Sequence, residues 1–112
     1  MRDVALLIGE LTIPSGNTNS NVIDFRKLPL SGITIFAPAE LTGTVKIYVS
    51  PSIDSYGTSY WNLLQSGGSD IEIGAGDAVP LDYVGWHHLK LVSGSNEAAA
   101  RKFILLGVED IT

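Results

Sequence analysis

The sequence predicts an all-β protein, an antiparallel β-sandwich with jelly-roll-like connections and about eight strands. Short apolar runs recur at intervals of roughly ten residues, which is typical of strands joined by turns. Twelve glycines and five prolines, together with many serines, threonines and asparagines, supply residues for those turns. A chain of 112 residues can build one core but not two, so we expect a single domain over residues 1–112.

The first half of the chain contains four predicted strands. The clearest lies within residues 43–50, where Val45, Ile47 and Val49 point to one face and Thr44, Lys46 and Tyr48 to the other. This alternation is expected because successive side chains of a strand face opposite sides. The other three predicted strands are residues 7–13, 21–28 and 32–37.

The second half continues the pattern. The four main segments predicted as strands are residues 60–64, 70–73, 87–93 and 101–108, with a flexible loop over 65–69. Ile71 and Ile73 are expected to point inward. A short additional edge strand is predicted around Val79, because proline such as Pro80 is tolerated where one side of a strand has no ladder partner.

The segment 96–107, "NEAAARKFILLG", is compatible with two structures. Residues 98–100 are alanines and Ser95 or Asn96 could cap a helix. We favour a loop leading into a strand, because the apolar run 103–106 suits a central strand buried on both faces. Since the first and last predicted strands are both strongly apolar, we expect both ends of the chain to be woven into the sheets.

Composition and charge exclude several classes of function. The net charge of −5 argues against nucleic acid, which is bound through a basic surface. The absence of cysteine removes disulfides, thiolate nucleophiles and Cys-based zinc sites. The apolar run 4–8 is too short for a signal peptide, and no segment approaches the length of a membrane span. We therefore expect a soluble protein without a membrane partner.

The two histidines, His87 and His88, are adjacent in a predicted strand. Adjacent side chains diverge, so His87 shares the inward face with Leu89 and His88 the outward face with Trp86 and Lys90. Divergent imidazoles do not readily bind one ion, and Lys90 would repel a cation on the His88 face. We interpret both histidines as structural or surface residues. If His88 has a role, we expect it at a subunit contact.

No catalytic residue, metal ligand or cofactor is predicted, and we expect the protein not to be an enzyme. The glycine-rich "GAGDAV" lacks the lysine and the helix of a phosphate loop, and no serine stands in a nucleophile motif. One alternative stays open: carboxylates could bind calcium at the loop 74–82. The acidic residues concerned are Asp70, Glu72, Asp77 and Asp82.

The aromatic residues are the candidates for an interaction surface. Tyr56, Tyr60, Trp61 and Trp86 lie near turns, where they could stack on sugars. The alternative is that Trp61 and Trp86 close the two ends of the core. Tyr48, on the outward face of a strand, suits a protein–protein interface equally well. With His88, these five aromatic residues form the predicted interaction set.

The order of these segments resembles a layout found in small bacteriophage structural proteins. Its elements are "LTIPSGNTNSNVIDF", "LSGITIFAPAELTGTVKIYVSPS" with "YWNLL", "GWHHLKLVSGS" and "RKFILLGV", from Leu11 to Val108. The segment "SPSIDSYGTSYW" departs from the layout, being longer than the usual tight turn before the tryptophan.

This resemblance implies a jelly-roll sandwich located on the virion, as a capsid cement (decoration) protein or as a tail or fibre accessory. It implies the major capsid protein as a partner, a homo-oligomer (dimer or trimer) at a symmetry axis, and synthesis in the host cytoplasm. Because such proteins act through surfaces, the resemblance supplies no catalytic residues. The alternative hypothesis is a carbohydrate-binding module on a tail or fibre that contacts the host surface.

Overall fold

Every regular element that the structure describes is a β-strand. The structure is a computed structural model, and it describes residues 2–24, 30–50, 61–82 and 88–111. Within these residues no helix is long and apolar enough to cross a bilayer. The strands are β1 (Arg2–Ile13), β2 (Ile23–Asp24), β3 (Leu30–Phe36), β4 (Val45–Ser50), β5 (Asn62–Leu63), β6 (Gln65–Ser66), β7 (Ser69–Asp70), β8 (Glu72–Ile73), β9 (Ala78–Asp82), β10 (His88–Ser93) and β11 (Arg101–Ile111).

The strands form two main antiparallel sheets. One has four strands in the order β1-β11-β3-β9, and the other has five, in the order β2-β10-β4-β5 with β8 also pairing with β4. Strands β6 and β7 form a separate two-stranded hairpin. The prediction of an all-β antiparallel sandwich is therefore confirmed. The additional strands arise because the region predicted as strand, loop and strand is divided into the short strands β5 to β8.

One apolar core lies between the two main sheets. The alternation predicted for β4 is observed, with Val45, Ile47 and Val49 buried and Lys46 and Tyr48 half-buried. Strand β10 alternates in the same way. The buried core residues are Leu11, Ile13, Ile33, Ile35, Val45, Ile47, Val49, Ile73, Leu81, Leu89, Leu91, Phe103 and Leu105. Each of the larger side chains contributes on the order of 1.5–3 kcal/mol through removal of apolar surface from water.

Both ends of the described chain lie in paired strands, as expected. Strands β1 and β11 pair antiparallel from Arg2 opposite Ile111 to Ile13 opposite Arg101, with a register shift between Leu7 and Gly9. Both strands extend further than predicted because they pair with each other over this whole length. Residues 94–100 contain bends and no helix, so the loop-and-strand interpretation of "NEAAARKFILLG" is confirmed.

One prediction about β11 is wrong. The apolar run 103–106 was expected to be buried on both faces, and β11 does lie centrally, between β1 and β3. Phe103 and Leu105 are completely buried, but the Ile104 side chain is 40% exposed. The reason is that a two-layer sandwich covers only one face of each antiparallel sheet and leaves the other in contact with water.

Both edges of the four-stranded sheet carry features that hinder further strand pairing. At one edge, the Asn21 side chain accepts a hydrogen bond from the Thr12 N–H (2.7 Å) and donates one to the Glu10 carbonyl (3.3 Å). At the other edge, β9 contains Pro80, which has no N–H to donate. The edge strand predicted around Val79 is thus confirmed, and both devices limit edge-to-edge association.

The predicted flexible loop 65–69 is instead part of the β6–β7 hairpin. Gly67 and Gly68 form its turn, with φ of 61° and 84°. Positive φ at both central residues matches a type I′ turn, whose twist fits the flanking strands. A glycine pair therefore orders this segment, where composition alone indicated flexibility.

Candidate interaction surfaces

The outward side of the five-stranded sheet brings three of the predicted interaction residues together. Tyr48 on β4 lies opposite Lys90 on β10 and Leu63 on β5, and its side chain is half-buried. His88 lies two residues from Lys90 on the same strand, and Trp61 directly precedes β5. We call this side of the sheet the Tyr48 face. Tyr56, Tyr60 and Trp86, like His87, lie outside the described residues.

Trp61 and Lys90 form a cation–π contact on the Tyr48 face. The Lys90 Nζ lies 4.7 Å from the centroid of the indole ring, within the range of a favourable interaction. Trp61 is half-buried, so its ring neither fills the core nor projects freely into solvent. The contact fixes the orientation of the indole and covers one of its two faces with a cation.

A second charged group borders the same face. The Lys46 Nζ donates a hydrogen bond of 2.8 Å to Asp70 Oδ2, and the Gln65 side-chain amide donates one of 2.7 Å to Oδ1. The bond from Gln65, followed by that from Lys46, lowers the pKa of Asp70. The hydrogen bond to Asp70 raises the pKa of Lys46. Because both side chains are partly exposed to water, this pair orders the side chains more than it stabilises the fold.

A shallow pocket of about 290 Å³ lies on the Tyr48 face, beside Lys46 and Tyr48. Its lining residues are Thr44, Lys46, Tyr48, Val92, Ser93 and Gly94. The volume is near the lower limit of small-molecule pockets, about 300 Å³. The pocket combines one aromatic ring, one ammonium and hydroxyl groups, a set of groups that can contact a peptide side chain or a sugar ring.

His88 is placed on the outward side of β10, as predicted, while Leu89 and Leu91 are buried. Its side chain is nevertheless only 11% exposed, and its Nε2 lies 3.5 Å from Asp24 Oδ2. The buried Nδ1 has no hydrogen-bond partner among the described residues. His88 therefore offers little area to a partner in this conformation, and its role at a subunit contact stays a prediction.

Two of the four acidic residues considered for calcium, Asp70 and Asp77, bind different partners. Asp70 binds Lys46 and Gln65, whereas Asp77 Oδ2 accepts a hydrogen bond of 2.7 Å from the Gly74 N–H within its own turn. Within the described ranges, no group of three or more histidine, aspartate or glutamate residues is arranged to hold a metal ion. The side chain of Asp82 is not among those described.

The sequence analysis placed Glu97 in a loop without assigning it a role, yet Glu97 is a highly connected polar residue among those the structure describes. The Glu97 side chain is only 1% exposed. Its Oε1 accepts hydrogen bonds from the Thr42 N–H (2.7 Å) and the Arg101 Nε (3.0 Å). Its Oε2 accepts from the Gly43 N–H (3.0 Å) and the Ser93 hydroxyl (2.6 Å). One carboxylate thus connects the loop before β4 to the end of β10 and the start of β11.

These bonds determine the ionisation of Glu97. Burial by itself raises the pKa of the carboxyl, but hydrogen bonds from Ser93, the Thr42 N–H, Arg101 and the Gly43 N–H outweigh burial and lower the pKa from 4.5 to about 2. Glu97 is therefore a buried, charged and fully bonded carboxylate. We interpret it as a structural clamp, because its four bonds occupy the oxygens that a ligand would need.

Comparison with known proteins shows the fold of the chain. No family model matches it, and no curated protein matches it. A crystal structure of the SPBc2 prophage-derived protein YomS superposes with a TM-score of 0.59, covering 96% of this chain and 94% of that one at 13% sequence identity. At this identity the similarity establishes a shared fold over nearly the full length of both chains.

Proposed function

We propose that this chain is a structural protein of a bacteriophage virion, and specifically a capsid decoration (cement) protein that binds and stabilises the assembled shell. The observation that carries the proposal is the similarity in fold to a prophage-derived protein, which covers nearly the full length of both chains. The resemblance of the sequence layout from Leu11 to Val108 to small phage structural proteins supports it independently. Successive strands alternate between the two main sheets from β1 to β4 and again from β8 to β11, which supports the finer jelly-roll description.

In this proposal the protein acts as a rigid adhesive unit rather than an enzyme. It would bind the major capsid protein at symmetry axes, as a dimer or trimer, and many weak contacts would add up through avidity. The net charge of −5 fits the exterior of the shell, away from the packaged DNA. Nucleic acid and membrane are not partners in this account.

The Tyr48 face is the surface we assign to the capsid contact. Tyr48 and Trp61 are residue types enriched at protein interfaces, and Trp61 is already oriented by Lys90. An ordered ring loses less conformational entropy on binding than a free one. The shallow pocket beside Tyr48 can receive one side chain from the capsid subunit.

Sedimentation with purified shells tests this proposal. Added to empty, expanded capsids of the phage or prophage that encodes it, the protein should cosediment and saturate at a fixed number of copies per capsid. Capsids of an unrelated phage serve as the control. Binding that fails to saturate, or that is equal for both capsids, would exclude a decoration role.

A carbohydrate-binding module of a tail or fibre is the second candidate. The pocket next to Tyr48 favours it, because a pyranose ring could stack on the tyrosine and bond to the hydroxyl of Thr44 and the Lys46–Asp70 pair. The Trp61 contact opposes it, because the Lys90 ammonium covers one face of the ring that a sugar would need.

The substitution Trp61→Ala separates the two candidates. On the capsid proposal we expect it to weaken capsid binding by about thirtyfold, the effect of losing a tryptophan hot spot, and to leave glycan binding absent as in the unmodified protein. Asn62→Ala, at the exposed neighbouring residue, is the matched control. If the unmodified protein bound a glycan array and Trp61→Ala abolished that binding without affecting capsids, the carbohydrate module would replace the capsid proposal.

A further inference from the structure

The outward side of the four-stranded sheet, opposite to the Tyr48 face, carries a contiguous group of apolar side chains. Ile104 on β11 lies directly opposite Phe36 on β3, which lies opposite Ala78 on β9. In the adjacent row, Leu106 and Pro80 flank Thr34. We call Phe36, Ala78, Pro80, Ile104 and Leu106 the apolar patch.

The apolar patch is accessible to a partner. Phe36 is 39% exposed and Ile104 is 40% exposed, and Ala78 and Pro80 are also exposed. On a solvated antiparallel sheet, the outward positions are normally polar. Here five of the six outward positions in these two rows are apolar, Thr34 being the exception, which marks an interaction site more than a solvated surface.

Charged residues border the apolar patch on one side. Glu10 on β1 lies opposite Ile104, and its Oε2 is 3.7 Å from the Nζ of Lys102 on β11. Both side chains are at least half exposed, at 50% for Glu10 and 61% for Lys102. The border thus contributes one negative and one positive charge, side by side, on a chain whose net charge is −5.

We infer that the apolar patch is the contact between two copies of this chain, related by a two-fold axis. A two-fold contact pairs each residue group with its own counterpart, so the surface must be complementary to itself. An acid and a base beside an apolar centre meet this condition, because Glu10 of each copy can face Lys102 of the other. Each copy carries a net charge of −5, but this border is electrically balanced and therefore adds no repulsion to the contact.

The contact is face to face rather than edge to edge. Asn21 binds the backbone of the β1 edge at Glu10 and Thr12, and Pro80 interrupts the β9 edge. The outward face is therefore the surface of this sheet on which a second copy can bury apolar area. Such a dimer leaves the Tyr48 face of each copy free. It gives the homo-oligomer of the proposed function a specific interface, although the inference does not depend on capsid binding.

The substitution Ile104→Glu tests the apolar centre. Analytical ultracentrifugation of the unmodified protein should show a concentration-dependent monomer–dimer equilibrium. Ile104→Glu should raise the dimer dissociation constant at least about tenfold, because it buries an unpaired charge in the contact. Val22→Glu is the matched control, since Val22 is also 40% exposed but lies outside the patch. Far-UV circular dichroism verifies that all variants keep the fold.

Charge reversal tests the border and the symmetry together. In a homodimer of Lys102→Glu, two acids meet at each contact across the axis. In a homodimer of Glu10→Lys, two bases meet there. The dissociation constant of each homodimer should therefore rise at least about tenfold. When the two variants are mixed, each contact pairs an acid with a base, and a heterodimer should form. The pairing within each chain stays repulsive in the mixture, so recovery can come only from contacts between chains.

Three results would overturn the inference: a monomeric unmodified protein at submillimolar concentration, an Ile104→Glu variant that dimerises normally, or a mixture that does not associate. A monomer whose capsid binding is lost in Ile104→Glu would assign the patch to the capsid instead. A dimer that binds no capsid would refute the proposed function and leave this inference intact.

Discussion

Replacing Glu97 with alanine should lower the free energy of unfolding by about 3–5 kcal/mol, the effect of removing one partner from a buried ion pair. The substitution leaves the N–H groups of Thr42 and Gly43 and the guanidinium of Arg101 without their acceptor. Arg101 is only 14% exposed, so water replaces the lost bonds poorly. Urea denaturation followed by tryptophan fluorescence measures the change.

Glu40→Ala is the control for this substitution, because Glu40 is exposed in the neighbouring loop, and its effect should stay within about 0.5 kcal/mol. Glu97→Gln should fall between the two, because its amide keeps one acceptor oxygen but turns an NH₂ group toward the donors. A loss below about 1 kcal/mol for Glu97→Ala would contradict the structural role given to this carboxylate.

Because of Glu97, we expect the stability of the protein to depend on pH in a specific way. Its pKa is about 2 in the folded protein and 4.5 ordinarily, so the unfolded chain takes up the proton first as the pH falls. The stabilisation is fully present above pH 4.5 and is lost as the pH falls toward 2, by about 3 kcal/mol in total. The lowered pKa of Asp70 changes the stability in the same direction, but it is present in both the unmodified protein and the Glu97→Ala variant. The difference between the unmodified protein and Glu97→Ala therefore isolates Glu97.

Phe103→Ala should cost about 3–5 kcal/mol, the range for deleting a large aromatic side chain from a packed core. Phe103 is completely buried on β11 opposite Leu11, and its removal leaves a cavity where the two sheets meet. The measurement is again the free energy of unfolding, with the urea dependence compared to verify that unfolding remains cooperative.

Ile104→Ala is the matched control, because it changes the next residue of the same strand on the outward face. With Ile104 40% exposed, the protein should lose less than about 1 kcal/mol at concentrations where it is monomeric. Equal losses for the two substitutions would contradict a sheet covered on one face only.

Most strand positions could be predicted from the sequence, because the alternation of apolar and polar residues is a local property of a strand. Spacing alone places Val45, Ile47 and Val49 on one face of a strand, and Pro80 indicates an edge strand because it lacks an N–H. The same logic separated His88 and Lys90 from Leu89 and Leu91. These assignments needed no knowledge of which strands are neighbours.

The features that were missed depend on contacts between distant segments. Glu97 binds the backbone of Thr42 and Gly43, which are 55 and 54 residues away in the chain, and nothing in "GSNEAAA" indicates those partners. The exposure of Ile104 follows from the number of layers in the fold, which a continuous apolar run does not reveal. The contact of Lys90 with Trp61 likewise depends on the pairing of β4 with β10 and β5.

A decoration protein should raise the melting temperature of the capsid to which it binds. Empty, expanded capsids are titrated with the purified protein, and the disruption of the shell is followed by calorimetry or light scattering. A ligand that binds the intact shell and not its dissociated subunits must stabilise the shell. We expect the melting temperature to rise with added protein and to level off at the stoichiometry found by sedimentation. Trp61→Ala should shift this titration to higher protein concentration. An unchanged melting temperature at saturating protein would contradict the assignment of a decoration role.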